Sequence, residues 1–201
     1  TMRGEVAVGD EHARRIVHSV SQSLGSDGQI STLPEPASIL STLCAHHVLE
    51  RLEQPSVGFR FQHQQFQEFY ATLTLKQHLL DLAGRDDSDA NRYFAREYIN
   101  KPLWGEPLCL IADEIGNTNP VSSDTGNMVT AGKRLIELAL GIDPVFAAEL
   151  AWLCGSAVWR EVRSAVGERL RAWYQVGDDQ HRQCALAGML ASGSDEFMDI
   201  I

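Results

Sequence analysis

Basic side chains are scarce in this sequence, and long apolar runs are absent from it. Its 201 residues include 17 Lys and Arg against 27 Asp and Glu, so the formal net charge is −10. Broad binding to a phosphate backbone needs clustered Lys and Arg, and this charge balance disfavours such binding. No run approaches the roughly 18 apolar residues of a membrane span. We therefore expect neither membrane insertion nor broad binding to nucleic acid.

Targeting and capping signals are missing at the two ends of the sequence. The first residues, TMRGEVAVGDEHARR, lack the basic and then apolar pattern of a signal peptide. The last residues, EFMDII, stop without a capping or helix-breaking residue. Both features lead us to expect a segment of a longer protein.

Cysteine is also scarce, and its spacing matches no known cysteine motif. No CxxC or CxxH pair is present, so neither a zinc site nor a redox dithiol is predicted. Each cysteine lies in an apolar, helix-like stretch, where a free thiol behaves as a small hydrophobe. These features predict a reduced, cytoplasmic protein. The four cysteines are Cys44, Cys109, Cys154 and Cys184.

The first part of the chain predicts two helices. Apolar residues recur at three- and four-residue spacing after Asp10, which is a plausible N-cap. Glycines end this first helix, and a short extended piece follows around Gln29–Leu33. Pro34 and Pro36 suit the first turn of a second helix, which we place at about 35–46.

A β-hairpin is predicted after these helices. The runs at about 48–53 and 58–62 alternate between apolar and polar residues, as half-buried strands do. Pro55 and Gly58 lie between the runs and are typical of a turn. Helix, short strand, helix and hairpin is the order of a winged helix. We therefore predict a winged-helix domain over residues 1–82.

From Gln64 onward the pattern is helical. Apolar residues at 66, 69, 70, 73 and 80 mark the first helix of this region, which a glycine ends at position 84. Paired helices at irregular spacing resemble HEAT-type repeats. The predicted fold is mainly α, with a winged-helix domain and small β-hairpin followed by a HEAT-like helical stack at 83–201. The later predicted helices lie at about 89–99, 102–115, 128–141, 144–154, 156–174 and 178–191.

Residues 126–134 resemble a phosphate loop only superficially. Five residues separate the two glycines where the motif needs four. Arg134 follows the lysine where the motif places a Ser or Thr hydroxyl on Mg²⁺. We interpret this segment as a loop that enters a helix.

Adjacent histidines suggest a metal site that their spacing does not support. His46 and His47 could be combined with Cys44 or with His63. Neighbouring side chains at a junction between a helix and a strand diverge, and no carboxylate follows at a ligand spacing. We predict no metal site.

Catalytic constellations are absent as well. There is no GxSxG nucleophile elbow, and the acidic pairs Asp113–Glu114 and Asp178–Asp179 are interpreted as solvated charges near helix ends. We therefore predict that this segment is not an enzyme and has no catalytic residue. The four tryptophans have the spacing of packing residues in successive helices: Trp104, Trp152, Trp159 and Trp173.

The segment FRFQHQQFQEFYATLTL at 59–75 is more specific. It resembles the end of the winged-helix domain in NACHT-type STAND NTPases, the signal-transduction ATPases that include animal inflammasome receptors and bacterial antiphage proteins. The earlier LCAHHVLERL and the later PLWGEPLCLIAD are also similar to that family. The residues that carry the pattern are Phe61, His63, Phe66, Gln67, Glu68, Phe69, Tyr70 and Ala71.

This resemblance implies a regulatory role for His63. In the family, the matching histidine contacts the β-phosphate of ADP and holds the closed, resting form. The start of a helix beside His63 would favour an anion, because its unpaired N–H groups carry partial positive charge. The implied partners are an upstream NTPase domain of the same chain, which binds ADP or ATP with Mg²⁺, and a protein ligand or further copies of the protein. The family's phosphate-loop lysine and acidic Mg²⁺ ligands have no counterparts here, so we expect no cofactor in this segment alone.

A helical-repeat scaffold for protein interactions, with no nucleotide role, remains the alternative. A winged helix could also bind DNA, but residues 35–46 contain no Lys or Arg to dock in a major groove.

We predict that this chain does not shift duplex DNA in an electrophoretic assay at physiological salt. A basic winged-helix protein serves as the positive control. A retarded band for this chain would contradict the interpretation of residues 35–46.

Overall fold

A computed structural model describes residues 7–54, 56–85, 87–118 and 125–201. Across these ranges the chain is mainly α-helical with a small antiparallel sheet, as predicted. In the same ranges, no helix combines the length and apolar character that crossing a membrane requires. The chain divides after Gln67 into two compact units. The sequence predicted this boundary after residue 82 instead. Both positions lie in the same helix, residues 64–83: the division falls near its start and the predicted boundary near its end.

The described residues of the N-terminal unit form three short strands and two helices, followed by the start of a third helix. Both strand pairings are antiparallel, and the order across the sheet is β1-β3-β2. The predicted hairpin is confirmed as the β2–β3 pair, although Pro55 of its turn lies outside the described residues. The elements are β1 Val8–Gly9, α1 Asp10–Ser26, α2 Pro36–Ala45, β2 Leu49–Leu52 and β3 Gly58–Phe61.

The position of the third strand differs from the prediction. Residues 29–33 form bends rather than a strand, because Gln29 donates its N–H back to the Leu24 carbonyl over 2.9 Å. The strand that completes the sheet is instead β1, which precedes α1 and pairs with β3. The predicted strand between the two helices is therefore wrong, whereas the hairpin and the two helices are confirmed.

The two helix starts show which capping predictions hold. Pro36 opens α2 as predicted, and the Glu35 side chain caps it by accepting from the Ser38 N–H at 2.9 Å. Asp10 is wrong as the N-cap of α1, because Gly9 takes that position with extended backbone. The Asp10 carboxylate instead accepts from Arg14 Nε at 2.7 Å.

A small apolar cluster holds the N-terminal unit together. Phe59 lies on the central strand and is buried with Ala13 of α1 and Leu40 of α2. Gly58 precedes Phe59, and a Cβ at this position would lie 2.6 Å from the Val8 carbonyl oxygen. The missing side chain therefore allows β1 to pair closely with the central strand.

The C-terminal unit is a stack of helices that begins within α3. The tail of α4 continues directly into a π-helical turn at Ala95–Ile99, and a short 3-10 turn at Pro102–Trp104 precedes α5. The predicted helix positions agree with the structure to within a few residues. The helices are α3 Gln64–Ala83, α4 Ser88–Phe94, α5 Gly105–Gly116, α6 Thr125–Leu140, α7 Pro144–Leu153, α8 Gly155–Val176 and α9 Asp179–Ala191.

Helices α5 to α9 contact one another in order along the chain, which confirms the predicted helical stack. Helix α7 contacts α5 and α9 as well as α6 and α8. Helix α6 also contacts α8. Each helix thus packs against its neighbour in sequence and against the next helix but one, which is typical of stacked helical arrays.

Glycines allow the backbones of this stack to approach closely. A Cβ on Gly116 at the end of α5 would overlap the Leu153 carbonyl oxygen at the end of α7. Gly132 of α6 is buried, and a Cβ there would lie 2.9 Å from a methyl group of Val158. Gly155 forms the corner between α7 and α8 with a φ of 77°, a left-handed conformation that glycine adopts at little cost.

The buried side of α3 is not the side on which most of the apolar residues that mark this helix lie. The side chains at 66, 69, 70 and 73 have helical spacing, but all four are exposed. The residues of α3 that are buried are Thr72, Leu75, Leu79 and Leu82. This helix carries two apolar stripes, and the second of them faces the core.

We predict that Gly116→Ala lowers the free energy of unfolding by about 1–3 kcal/mol, because overpacking forces the backbone of α5 away from α7. Urea denaturation followed by circular dichroism measures the change. Gly105→Ala, at the other end of α5, is the matched control, since a Cβ there meets no atom within 4 Å. An equal loss of stability in both variants would contradict this account of Gly116.

Candidate functional site

The hairpin places His63 at the junction between β3 and α3. In the β2–β3 register, Leu49 lies opposite Phe61. Gln62 extends the ladder by one bond, donating its N–H to the Val48 carbonyl over 3.1 Å. His63 follows immediately and precedes α3, so its backbone position is set by the end of the sheet.

The His63 imidazole is exposed and makes few contacts with the other described residues. Its ring lies 5.8 Å from the Phe66 ring, centroid to centroid, at an interplanar angle of 56°. The His63 carbonyl accepts the Phe66 N–H at 3.1 Å, which starts the first turn of α3. Within the described ranges, the imidazole makes no hydrogen bond or ion pair, so its nitrogen atoms can bond to a ligand.

The described residues near His63 do not form a complete phosphate-binding site. Arg60, three residues earlier, donates Nε to Glu50 at 2.8 Å across the hairpin, so its charge is already balanced. One hydrogen bond to a charged group contributes about 1.5–3 kcal/mol. Even millimolar binding requires about 4 kcal/mol. His63 can therefore contribute to a nucleotide site but cannot form one alone.

The other histidines near α2 do not converge on a metal site. His46 and His47 follow the end of α2 and are both exposed. His47 has a φ of 58°, a left-handed conformation that turns the chain toward β2. Within the residues that the structure describes, there is no group of three or more His, Cys, Asp or Glu side chains that could hold a metal ion.

Residues 126–134 are helical rather than a loop. Helix α6 begins at Thr125, so both glycines of the superficial phosphate-loop pattern lie within it. Gly132 contacts the core, and from Val129 onward the backbone N–H groups of this segment can bond within the helix. The prediction of a loop that enters a helix is wrong only for residues 126 and 127, because the helix starts three residues earlier than its apolar periodicity indicates.

The acidic pairs have structural partners. Glu114 accepts from Lys76 Nζ at 2.5 Å, which links α5 to α3. Asp178 caps α9 by accepting from the His181 N–H at 2.9 Å, and the same oxygen lies 2.7 Å from His181 Nδ1. These bonds hold the pKa of Asp178 below its ordinary value. Asp113 and Asp179 are exposed.

The tryptophans differ in their surroundings. Trp104 packs edge-on against Tyr98, with ring centroids 5.1 Å apart, beside the π-helical turn. Trp159 and Trp173 are half-buried, whereas Trp152 of α7 is 59% exposed. The spacing of the tryptophans in the sequence did not predict that Trp152 is exposed. The signal that could have revealed it is the run of small residues on α7, Ala147, Ala148 and Ala151, which suits the close approach of another helix to that side.

Two of the four thiols are poor nucleophiles. Burial raises the pKa of Cys154 to about 12. Burial, with Glu149 and Glu106 nearby, raises the pKa of Cys109 to about 11. Because the thiolate is the reactive form, neither side chain is suited to nucleophilic catalysis at neutral pH. All four cysteines are free.

Two grooves lie among the described residues of the C-terminal unit, and the cations that line them are paired with carboxylates. A groove of about 570 Å³ lies where α3, α5 and α6 meet, and its lysine, Lys76, is paired with Glu114. A second groove of about 620 Å³ lies beside the π-helical turn. Its Arg92 and Arg96 are paired with Asp89 and Glu97 respectively.

No protein-family model, curated protein or solved structure matches this chain.

We predict that thiol-reactive probes at pH 8 modify Cys44 and Cys184 before Cys109, and Cys154 last. With a pKa near 12, only about one Cys154 in ten thousand is a thiolate at this pH. Peptide mapping by mass spectrometry after timed iodoacetamide labelling measures the order, and labelling in denaturant serves as the control. Rapid labelling of Cys154 in the folded chain would contradict its burial.

Proposed function

We propose that this chain is the non-catalytic regulatory and sensor-arm segment of a NACHT-like signal-transduction ATPase. Its winged-helix unit latches the ADP-bound resting state, and its helical stack carries the surface that senses a ligand or restrains activation. The upstream NTPase domain of the same protein binds ADP or ATP with Mg²⁺. The protein acts in the cytoplasm, in innate immunity or antiviral defence.

The observation that supports this proposal is the solvent exposure of the His63 imidazole. The motif at 59–75 requires a histidine at this position, and the imidazole is exposed at the start of α3. A ring buried among aliphatic side chains would have been unable to reach a phosphate. The hairpin that precedes it, from Leu49 to Phe61, also has the form that the motif implies.

The energetics suit a latch rather than a binding site. A single hydrogen bond from His63 to a phosphate supplies about 1.5–3 kcal/mol. A tenfold change in an equilibrium between two conformations needs only about 1.4 kcal/mol. His63 can thus shift the equilibrium between a closed and an open form without contributing most of the binding free energy for ADP.

An interaction scaffold with no nucleotide role is the second candidate. The observation that favours it is the exposed indole of Trp152, because large exposed apolar side chains often belong to protein interfaces. Both candidates include a protein partner, and they differ in whether a nucleotide controls it. Loss of His63 affects ADP in the first candidate and has no such effect in the second.

We predict that His63→Ala in the full-length protein accelerates the release of ADP by roughly tenfold or more and favours spontaneous activation, since the closed form loses one charged hydrogen bond. Release of a fluorescent ADP analogue, chased with unlabelled ADP, measures the rate.

His46→Ala is the matched control, because it removes an exposed imidazole from the same unit. Its release rate is expected to equal that of the unmodified protein. An unchanged rate in His63→Ala, or an equal acceleration in both variants, would argue against the latch.

A further inference from the structure

The outward sides of α5 and α7 form an acidic surface with exposed apolar side chains. We call it the acidic face and define it by Glu106, Leu110 and Asp113 of α5 with Glu149 and Trp152 of α7. All five side chains are exposed. Neither helix contains a Lys or Arg, so no cation of α5 or α7 balances the three carboxylates.

Two observations bring these side chains onto one surface. Helices α5 and α7 contact each other. Burial raises the pKa of Cys109 of α5, and the charges of Glu149 and Glu106 raise it further. Carboxylates of the two packed helices therefore lie near the same thiol.

The indole of Trp152 is held in place at one end of this surface. Gly193, just beyond α9, has a φ of 57°, and a Cβ at this position would overlap the indole ring. The ring therefore lies directly on the Gly193 backbone while 59% of the residue stays exposed. Gly193 also donates its N–H to the carbonyl of Leu190 at 3.1 Å, and Leu190 is 63% exposed.

These features specify the chemistry of a partner. A fixed and exposed tryptophan is the type of side chain that dominates the energy of protein interfaces. Carboxylates around it attract a positively charged partner and repel nucleic acids and anionic lipids. A symmetric contact between two copies would bring the same carboxylates together, which disfavours a second copy of this chain.

We propose that the acidic face binds a Lys- or Arg-rich segment of another protein that also carries apolar side chains. Trp152 and Leu190 contact the apolar side chains of this segment, and the carboxylates of the acidic face pair with its cations. This interaction lies within the C-terminal unit and does not depend on the nucleotide contact of His63.

A fluorescent peptide with Lys and Leu at helical spacing is the probe, and the same peptide with Glu in place of Lys is its counterpart. Fluorescence anisotropy measures binding to the 201-residue chain. We expect the Lys peptide to bind and the Glu peptide not to bind. Trp152→Ala is expected to weaken binding about tenfold or more, and raising the salt from about 50 mM to about 300 mM to weaken it further.

Charge reversal at two positions separates the acidic face from the general negative charge of the chain. Glu149→Lys and Glu161→Lys change the net charge equally, but Glu161 lies on α8. Weaker binding in Glu149→Lys with little change in Glu161→Lys supports the proposal.

Three results would overturn it. The first is an equal effect of the two charge reversals, and the second is equal binding of the Lys and Glu peptides. The third is a dimer in sedimentation velocity that Trp152→Ala dissociates, because a second copy would then be the occupant of this surface.

Discussion

The helical unit depends on close approach between helix backbones. Where α5, α6, α7 and α8 meet, small residues lie among large buried ones such as Leu108, Leu135 and Leu150, and the small residues let neighbouring helix backbones approach each other. The small buried residues of these helices include Ala112, Ala131, Gly132, Ala147, Ala148 and Ala151.

The positions of most elements could be predicted because local signals mark their ends. Pro36 and Pro144 open α2 and α7, and apolar periodicity runs through the helices between such breaks. Periodicity alone does not identify the buried side of a helix that has two apolar stripes, and in α3 most of the residues that mark the helix lie on the exposed side. Strand β1 contains only two residues, too few for any alternation to be recognised.

The candidate sites differ in how far sequence could reveal them. His63 was found through a short motif, and its exposure agrees with the role that the motif implies. The acidic face has no motif, because its members come from separate helices and share only a surface. The carboxylates of Glu106 and Glu149 are more than forty positions apart in the chain, and helix packing alone brings them to one thiol. The proposed nucleotide contact of His63 requires a partner domain, whereas the five residues of the acidic face all lie within one unit.

The corner between α7 and α8 has a mechanical consequence. Helix α7 ends at Leu153 and α8 begins at Gly155, so Cys154, which is buried, is the whole connection. The end of α5 also presses against this corner through Gly116. Because this junction is short and tightly packed, it leaves α7 and α8 little freedom to change the angle between them. We therefore expect a force on the 22-residue helix α8 to move α5, α7 and α8 together as one rigid group.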